Sequence, residues 1–494
     1  MSEQAEQLRE ELLQSVEESG FDSLLKQKFR PKSEREQSNV EVAVNTFAEH
    51  VLAETGIISD DLIETIDSII AQLDSKLSDQ INEVMHNEEF QELEGTWRGL
   101  HHLATSSETG EKLQIKTIDI NKKELSKSLK RYKGTAFDQS PLFKKIYEQE
   151  YGVLGGHPFG CLVGDYFFDN SSVDVDLLEN ISNIAAASHA PFIAAASPST
   201  LQLDDWEQMS DITDISSKFR TPEYAKWNSL RDASNSLYIG LTMPRFLSRE
   251  PYSSKDNPVD EFEFEEDIAG PDSSQYTWSN SAYAMAANIN RAFTDYGWCT
   301  QIRGVESGGL IEGLPSHTYV TEGGSMEMKC PTEVAISDRR EAELAKNGLI
   351  PLVHRKNTAN AVFMGAQSFN RPTTYDDEDA TANANLSARL PYLFASSRFA
   401  HYLKCIVRDK VGSFSSRDEM ESWLTNWVLQ YVDGDPENSS EETKAKKPLA
   451  NAEVIVQDVP GNPGYYEAQF NLAPHYQLEG VKVTLSLVSK LPSE

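Results

Sequence analysis

Apolar positions in the first hundred residues recur every three or four places, the spacing of one helical face. Leu8, Leu12 and Val16 form a short stripe that Gly20 can end. Val40, Val44, Phe47 and Val51 follow at steps of four, three and four. Leu62, Ile66, Ile69, Leu73 and Leu77 line a third stripe, for which Asp61 and Glu64 supply a capping box. The opposite faces are acidic. Helices with stripes this narrow cannot enclose a large core alone, so they are expected to pack on one another or on partner helices.

From Lys112 the period changes. KLQIKTIDIN alternates and predicts a strand. Asn121, three places before Glu124, caps a helix, and Ser140-Pro141 opens another. FGCLVGDYFF, PFIAAAS and LYIGLTMP are short apolar runs of strand length, with helical patterns near 177–187 and 223–233 between them. Alternating strands and helices predict a mixed α/β (α+β) fold in a multi-domain chain. Residues 252–272 form a polar break whose acidic run, DEFEFEED, reads as a solvated loop. A helix is expected over 282–293, then short strands and loops to Gly324. SDRREAELAKNG is a helix capped by Ser337 or Asp338 and ended near Gly348, with Arg339, Arg340, Glu341 and Glu343 as surface pairs.

Residues 382–414 read as one long helical segment. Leu386, Leu390, Leu393, Phe394, Phe399, Leu403, Ile406 and Val407 give it an apolar middle. A second acidic run, Asp376–Asp379, precedes it, and Pro391 either kinks it or sits in a first turn. After a polar insert at 433–448, AEVIVQDV and YYEAQFNLAP flank PGNPG as a hairpin. In the last segment Val481, Val483, Leu485 and Leu487 alternate with Lys482, Thr484 and Ser486. Such a strand either completes its own sheet or adds to the sheet of another chain.

Charge changes how the 382–414 helix reads. The 494-residue chain has a formal charge of −33, yet Arg389, Arg398, Lys404, Arg408 and Lys410 face only Asp409 there. Either the cations meet water around a core helix, or they meet an anionic surface, and charge alone does not separate these. The acidic excess argues against nucleic acid and anionic lipid as partners. Apolar residues, at 39%, suffice for packed cores. The N-terminus lacks a signal-peptide pattern, and no apolar run approaches the roughly 18 residues of a membrane span. Cys161, Cys299, Cys330 and Cys405 form no CxxC pair and are expected as reduced thiols in a cytoplasmic protein.

The candidates for site chemistry are weak. His101 and His102 are adjacent, so on a helix they point about 100° apart and cannot easily chelate one ion. Gly152, Gly155, Gly156 and Gly160 lack both the phosphate-loop lysine and the GxGxxG spacing, which leaves a tight turn. Glu263 and Glu265 read as solvated carboxylates. No GxSxG elbow occurs, and spacing identifies no Cys–His pair. Trp97, Trp423 and Trp427 sit in helical patterns as core or subunit-contact anchors.

Five long blocks carry a family resemblance: EEFQELEGTWRGLHHL (88–103), YGVLGGHPFGCLVGDY (151–166), CPTEVAISDRREAELAKNGLIPLVH (330–354), FMGAQS (363–368) and the whole of 382–414. From about Glu88 onward the chain resembles the large sheath subunits of type VI secretion systems, the TssC/VipB family. The resemblance implies a structural protein, not an enzyme, with no cofactor or metal. It implies an obligate heterodimer with the small sheath subunit (TssB/VipA) and contacts with neighbouring sheath protomers. It further implies a helical sheath around a tube of Hcp rings, a contraction triggered at the baseplate, and recycling by the AAA+ unfoldase ClpV mainly through the small subunit. The expected location is the bacterial cytoplasm, in a sheath on a membrane-anchored baseplate, without membrane insertion. Residues 1–105 would be outer helices packed with the small subunit, 106–330 a central α/β domain, and 331–494 an inner layer. In that layer Lys404, Arg408 and Lys410 are the candidate tube-facing residues. Val481, Val483, Leu485 and Leu487 are the candidate inter-subunit β arm. The alternatives are a phage-like tail sheath protein, or a cytoplasmic enzyme with an unrecognised site in 112–330.

Overall fold

The computed structural model describes residues 62–260, 262–268, 270, 272–321, 323–410, 417–436, 438–458, 466–475 and 485–491. The stripes at Leu8–Val16 and Val40–Val51 lie outside these residues, as do Asp61, Val481 and Val483. The described chain falls into two compact units, one with residues 62–83 and 252–267, the other with 84–251 and 268 onward.

In the first unit, helix α1 begins at Leu62 and runs Leu62–Met85, as its stripe predicts. Leu73 and Leu77 on that stripe remain exposed, as does Ile70 beside it. The acidic run is a loop with Glu263, Glu265 and Asp267 exposed, as a solvated run should be, and it is also tied to the rest of its unit. Ser254 N–H donates to the Glu265 carboxylate at 3.0 Å and Tyr252 N–H to that of Glu266 at 2.8 Å. Asn82 bonds the Glu265 carbonyl and the Asp267 N–H at 3.0 and 3.1 Å. The aromatic residues between the acids supply the reason, since Phe264 is buried and draws the run in.

The second unit opens with α2 (Glu88–Thr105), capped by Asn87. No strand forms over 112–121, because that segment has no ladder partner. Its contacts are lateral instead, with the Lys116–Glu150 ion pair and Tyr166 Oη donating to the Ile120 carbonyl at 2.7 Å. Asn121 caps α3 (Lys122–Leu129) by accepting from Glu124 N–H at 2.8 Å. Ser140 caps a helical turn that continues as a π-helix over Lys144–Tyr151.

The predicted apolar runs become β1 (Leu162–Phe168), β2 (Phe192–Ala196) and β3 (Ile239–Met243), with α4 (Ser172–Ser188) and α5 (Ala225–Asp232) between them. There follow β4 (Phe246–Leu247), β5 (Trp278–Ser279), α6 (Ser281–Tyr296), β6 (Leu310–Ile311) and a small hairpin of β7 (Thr318–Val320) and β8 (Met326–Met328). Then come α7 (Asp338–Lys346), β9 (Leu349–His354) and β10 (Ala361–Phe363). A six-stranded sheet runs β1-β2-β3-β9-β10-β6, parallel through β9 and antiparallel beyond it. Each strand face feeds a different core. Phe192, Ala194, Ile239, Leu241, Leu349 and Val353 meet α4 and α5, while Ile193, Ile350 and Leu352 meet α6. Burial on both faces is why these strands read as unbroken apolar runs.

The expected single helix over 382–410 is two helices, α8 (Glu378–Ser387) and α9 (Leu390–Lys410). Backbone competition breaks it. Ser368 N–H takes the Ala388 carbonyl, and Leu390 N–H donates to the Ala366 carbonyl, both at 2.9 Å. Pro391 therefore stands in the first turn of α9, where its missing N–H costs nothing. After α10 (Arg417–Leu429), the polar insert holds α11 (Glu441–Lys446). A three-stranded antiparallel sheet follows, ordered β11 (Leu449–Asp458), β12 (Tyr466–Pro474) and β13 (Leu485–Leu491). The start of α9, through Leu390, Leu393 and Phe394, belongs to the core under the large sheet. Its later part, through Phe399 and Leu403, belongs to a third core with α10, β11 and β12.

Candidate assembly surface

Two glycines decide how α2 sits. A Cβ on Gly95 would stand 2.3 Å from the Trp278 carbonyl oxygen, and one on Gly99 would stand 2.4 Å from the Tyr283 ring. Only hydrogen at both positions lets α2 lie this close to β5 and α6. Ser279 Oγ donates to the Gly95 carbonyl at 2.8 Å. Beside them the Glu94 carboxylate accepts from Arg249 Nε at 2.7 Å, Arg98 Nε at 2.6 Å and Thr277 Oγ1 at 3.0 Å. Burial alone would raise the Glu94 pKa, but Arg249 and Arg98 more than offset it and hold it below the ordinary range.

With one face of α2 fixed by glycine, the other carries Phe90, Leu93 and Trp97 at helical spacing. Trp97 is 64% exposed and Leu93 55%. Trp97 is thus not a core anchor, whereas Trp423 and Trp427 pack against the third core. Sequence reasoning did not single out this face. The Gly95-x-x-x-Gly99 spacing was the available signal, since small residues four apart mark the side on which a helix is approached closely.

The structure holds two of the three basic candidates in contacts within the chain. Lys404 Nζ lies 3.7 Å from the Tyr151 ring centroid and 4.4 Å from that of Tyr147, and donates to Tyr147 Oη at 2.7 Å. The Arg408 guanidinium donates to the Val153 carbonyl and pairs with Asp409 at 3.4 Å. Lys410 closes the helix. One turn earlier, His401 Nε2–H donates to the Ser188 carbonyl at 2.8 Å. Burial pushes this imidazole down to about 3, so it is neutral. These contacts clamp α9 to α4 and to the 144–153 segment.

Of the arm candidates, Leu485 and Leu487 lie in β13, opposite Leu472 and Phe470 of β12. Among the described strands, β13 stands at the end of its sheet's order.

The remaining candidates fall into ordinary roles. His101 is exposed, while the His102 ring lies 5.2 Å from Phe246. Gly155 has φ +78°, and a Cβ on Gly156 would stand 2.2 Å from the Glu150 carbonyl oxygen, so these glycines make a tight turn. Among the described residues, no group of three His, Cys, Asp or Glu side chains could hold a metal, and no helix is long and apolar enough to cross a membrane.

Comparison with known proteins gives consistent matches. The family model for VipB, the EvpB/VC_A0108 tail sheath N-terminal domain, matches residues 67–370. The model for the EvpB/VC_A0108 tail sheath gpW/gp25-like domain matches 379–491. The type VI secretion system sheath protein TssC1 of Pseudomonas aeruginosa is 62% identical over 475 residues, covering 96% of this chain and 95% of that protein. Among solved structures, the anti-feeding prophage baseplate aligns over 64% of this chain and 66% of that chain, at 12% identity and a TM-score of 0.33. The contracted helical sheath of the same particle aligns over 64% and 63%, at 11% identity and a TM-score of 0.28.

Proposed function

The chain belongs to the TssC/VipB family of type VI secretion sheath proteins, and on that premise we propose how it assembles and works. It is a structural component of a contractile sheath and not an enzyme. In our reading it heterodimerises with the small subunit (TssB/VipA), and the heterodimers stack head to tail around an Hcp tube. A heterologous contact that does not close gives an open helical filament. Contraction on the baseplate is then a passage between two packed arrangements, with interface energy as the driving force. Recycling by ClpV would act mainly through the small subunit. The assembly would work in the cytoplasm.

The observation that carries this reading is the α2 face. Phe90, Leu93 and Trp97 form an apolar stripe, with the glycine side of the same helix already committed to the fold. An apolar stripe of this kind suits a partner helix laid along it. Ile70, Leu73 and Leu77 of α1 offer the same chemistry. The layered roles fit the same picture: outer helices, a central α/β layer, and an inner layer with the end of α9 toward the tube and β13 as the arm. An outer strand of a small sheet has backbone groups suited to a neighbouring protomer.

Co-expression with the small subunit followed by negative-stain microscopy tests the proposal. Long tubes are expected. Small, uniform oligomers under all conditions would overturn it. Tubes formed without the small subunit would favour the single-chain, phage-like alternative.

A further inference from the structure

A polar cavity of about 150 Å³ lies where the loop after α6 meets the polar insert and the end of β12. Thr300, Gln301 and Arg303 line it from the loop, Glu441 and Lys444 from α11, and His475 from just beyond β12. Backbone bonds fix these walls. Arg303 N–H donates to the Ser307 carbonyl at 3.3 Å, and Gly304 N–H to that of Phe363 in β10 at 2.8 Å. His475 N–H donates to the Pro448 carbonyl at 3.1 Å, and Asp433 N–H to that of Leu449 at 2.8 Å.

Two lining side chains are more than nine-tenths buried, Thr300 at 3% exposed and His475 at 6%. Thr300 Oγ1 and His475 Nε2 find no hydrogen-bond partner among the described residues. Asp433 Oδ2 is 3.7 Å from His475 Nε2, beyond hydrogen-bond length, and Asp433 does not line the cavity. A buried polar atom left unbonded is costly, and in a folded protein it marks a place that water or an ion fills.

Charge separates an anion from water here. Arg303 and Lys444 bring two cations to the wall, and Glu441 brings one carboxylate. The Glu441 side chain is 78% exposed and 3.5 Å from Lys444, so solvent screens it. Burial presses the Arg303 pKa down, and no carboxylate among the described residues counters it. Arg389, depressed first by burial, stands close enough for Arg303 to lower it further, and its Nε also lacks a partner among the described residues. Cations held without a counter-charge, beside hydroxyl, amide and imidazole groups, suit an oxyanion. Size narrows the class. At roughly 30 Å³ per water, the space equals about five waters. That admits phosphate or sulfate but not a nucleotide, since pockets for ligands of that size start near roughly 300 Å³.

We propose that this cavity binds a small tetrahedral oxyanion, inorganic phosphate or sulfate, held by Arg303, Lys444, Gln301, Thr300 and His475. The bound anion ties the insert and the end of β12 to the loop after α6, and so braces the sheet that holds β13. The site lies within one chain and does not depend on partner assembly.

The test titrates sodium phosphate into the full chain, alone and with the small subunit, by calorimetry at constant ionic strength. Sodium sulfate and AMP are the comparison ligands. Saturable one-to-one binding of the inorganic anion is expected, with a thermal unfolding midpoint that rises with its concentration. AMP should bind at least about tenfold more weakly, because its nucleoside does not fit. Lys444→Gln and Arg303→Gln should each weaken binding about tenfold or more, through loss of a charge-assisted hydrogen bond. Lys446→Gln, on the same helix but outside the cavity and paired with Glu442, should leave it unchanged. No saturation by about 10 mM anion would overturn the proposal. So would AMP binding as tightly as phosphate, unchanged affinity in both cavity variants, or an equal loss in Lys446→Gln. If Arg303→Gln does not fold, Lys444→Gln decides alone.

Discussion

Trp97→Ala separates partner binding from folding more cleanly than any other single change. Trp97 is 64% exposed, so truncation removes little that the chain itself packs. A tryptophan offers roughly 150–250 Å² for burial, which leaves roughly 100–160 Å² to be covered by a partner. At about 25 cal/mol per Å² that is about 2.5–4 kcal/mol, the range of an interface hot spot. The loss corresponds to about 70-fold or more in affinity for the small subunit. Two measurements are needed: heterodimer dissociation by sedimentation across a concentration series, and thermal unfolding of the large subunit alone. Weakened association with an unchanged unfolding midpoint is expected. Undiminished association, or a loss of subunit stability as large as the loss in binding, would refute the argument that this face is held open for a partner.

Three further outcomes follow from contacts within the chain. Glu94→Ala strips the counter-charge from the buried Arg249 and should cost about 3–5 kcal/mol in denaturant unfolding. Because the folded Glu94 pKa is lowered, its contribution is complete above the ordinary glutamate value and fades as pH falls through the lowered one, so wild type and variant should converge in acid. Gly95→Ala pushes a methyl into the Trp278 carbonyl and should destabilise by about 1–3 kcal/mol in thermal melts, with Gly110→Ala, where nothing lies within 4 Å, as the mild control. Deleting Val481 to Glu494 should leave a heterodimer that fails to elongate into sheath, and normal tube lengths by microscopy would show the segment to be only a strand of its own sheet.

The elements that could be read correctly were those whose cause is local. Asn121 and Ser140 cap helices because a short side-chain oxygen reaches its own helix's free N–H groups, whatever surrounds it. β1, β2 and β3 announced themselves through apolar runs that only double-sided burial makes tolerable. Segment 112–121 had the right alternation and made no strand, since a ladder needs a second strand that periodicity cannot supply. The break between α8 and α9 was hidden for a similar reason: the carbonyl and N–H that end the helix are claimed by residues 366–368. The candidate surface was half legible. Its cations could be counted, but their partners could not, because Tyr147 and Tyr151 meet Lys404 only after the chain has folded back.

The sequence by itself determined the family, the charge balance, the capped helices and the apolar strands, because each rests on residue type and near-neighbour spacing. Tertiary structure alone decided which face of α2 the glycines press against the fold and which it leaves open. It also decided that α9 would join two cores. These depend on distances between segments remote in sequence, set by the packing of whole elements, and no local period records them.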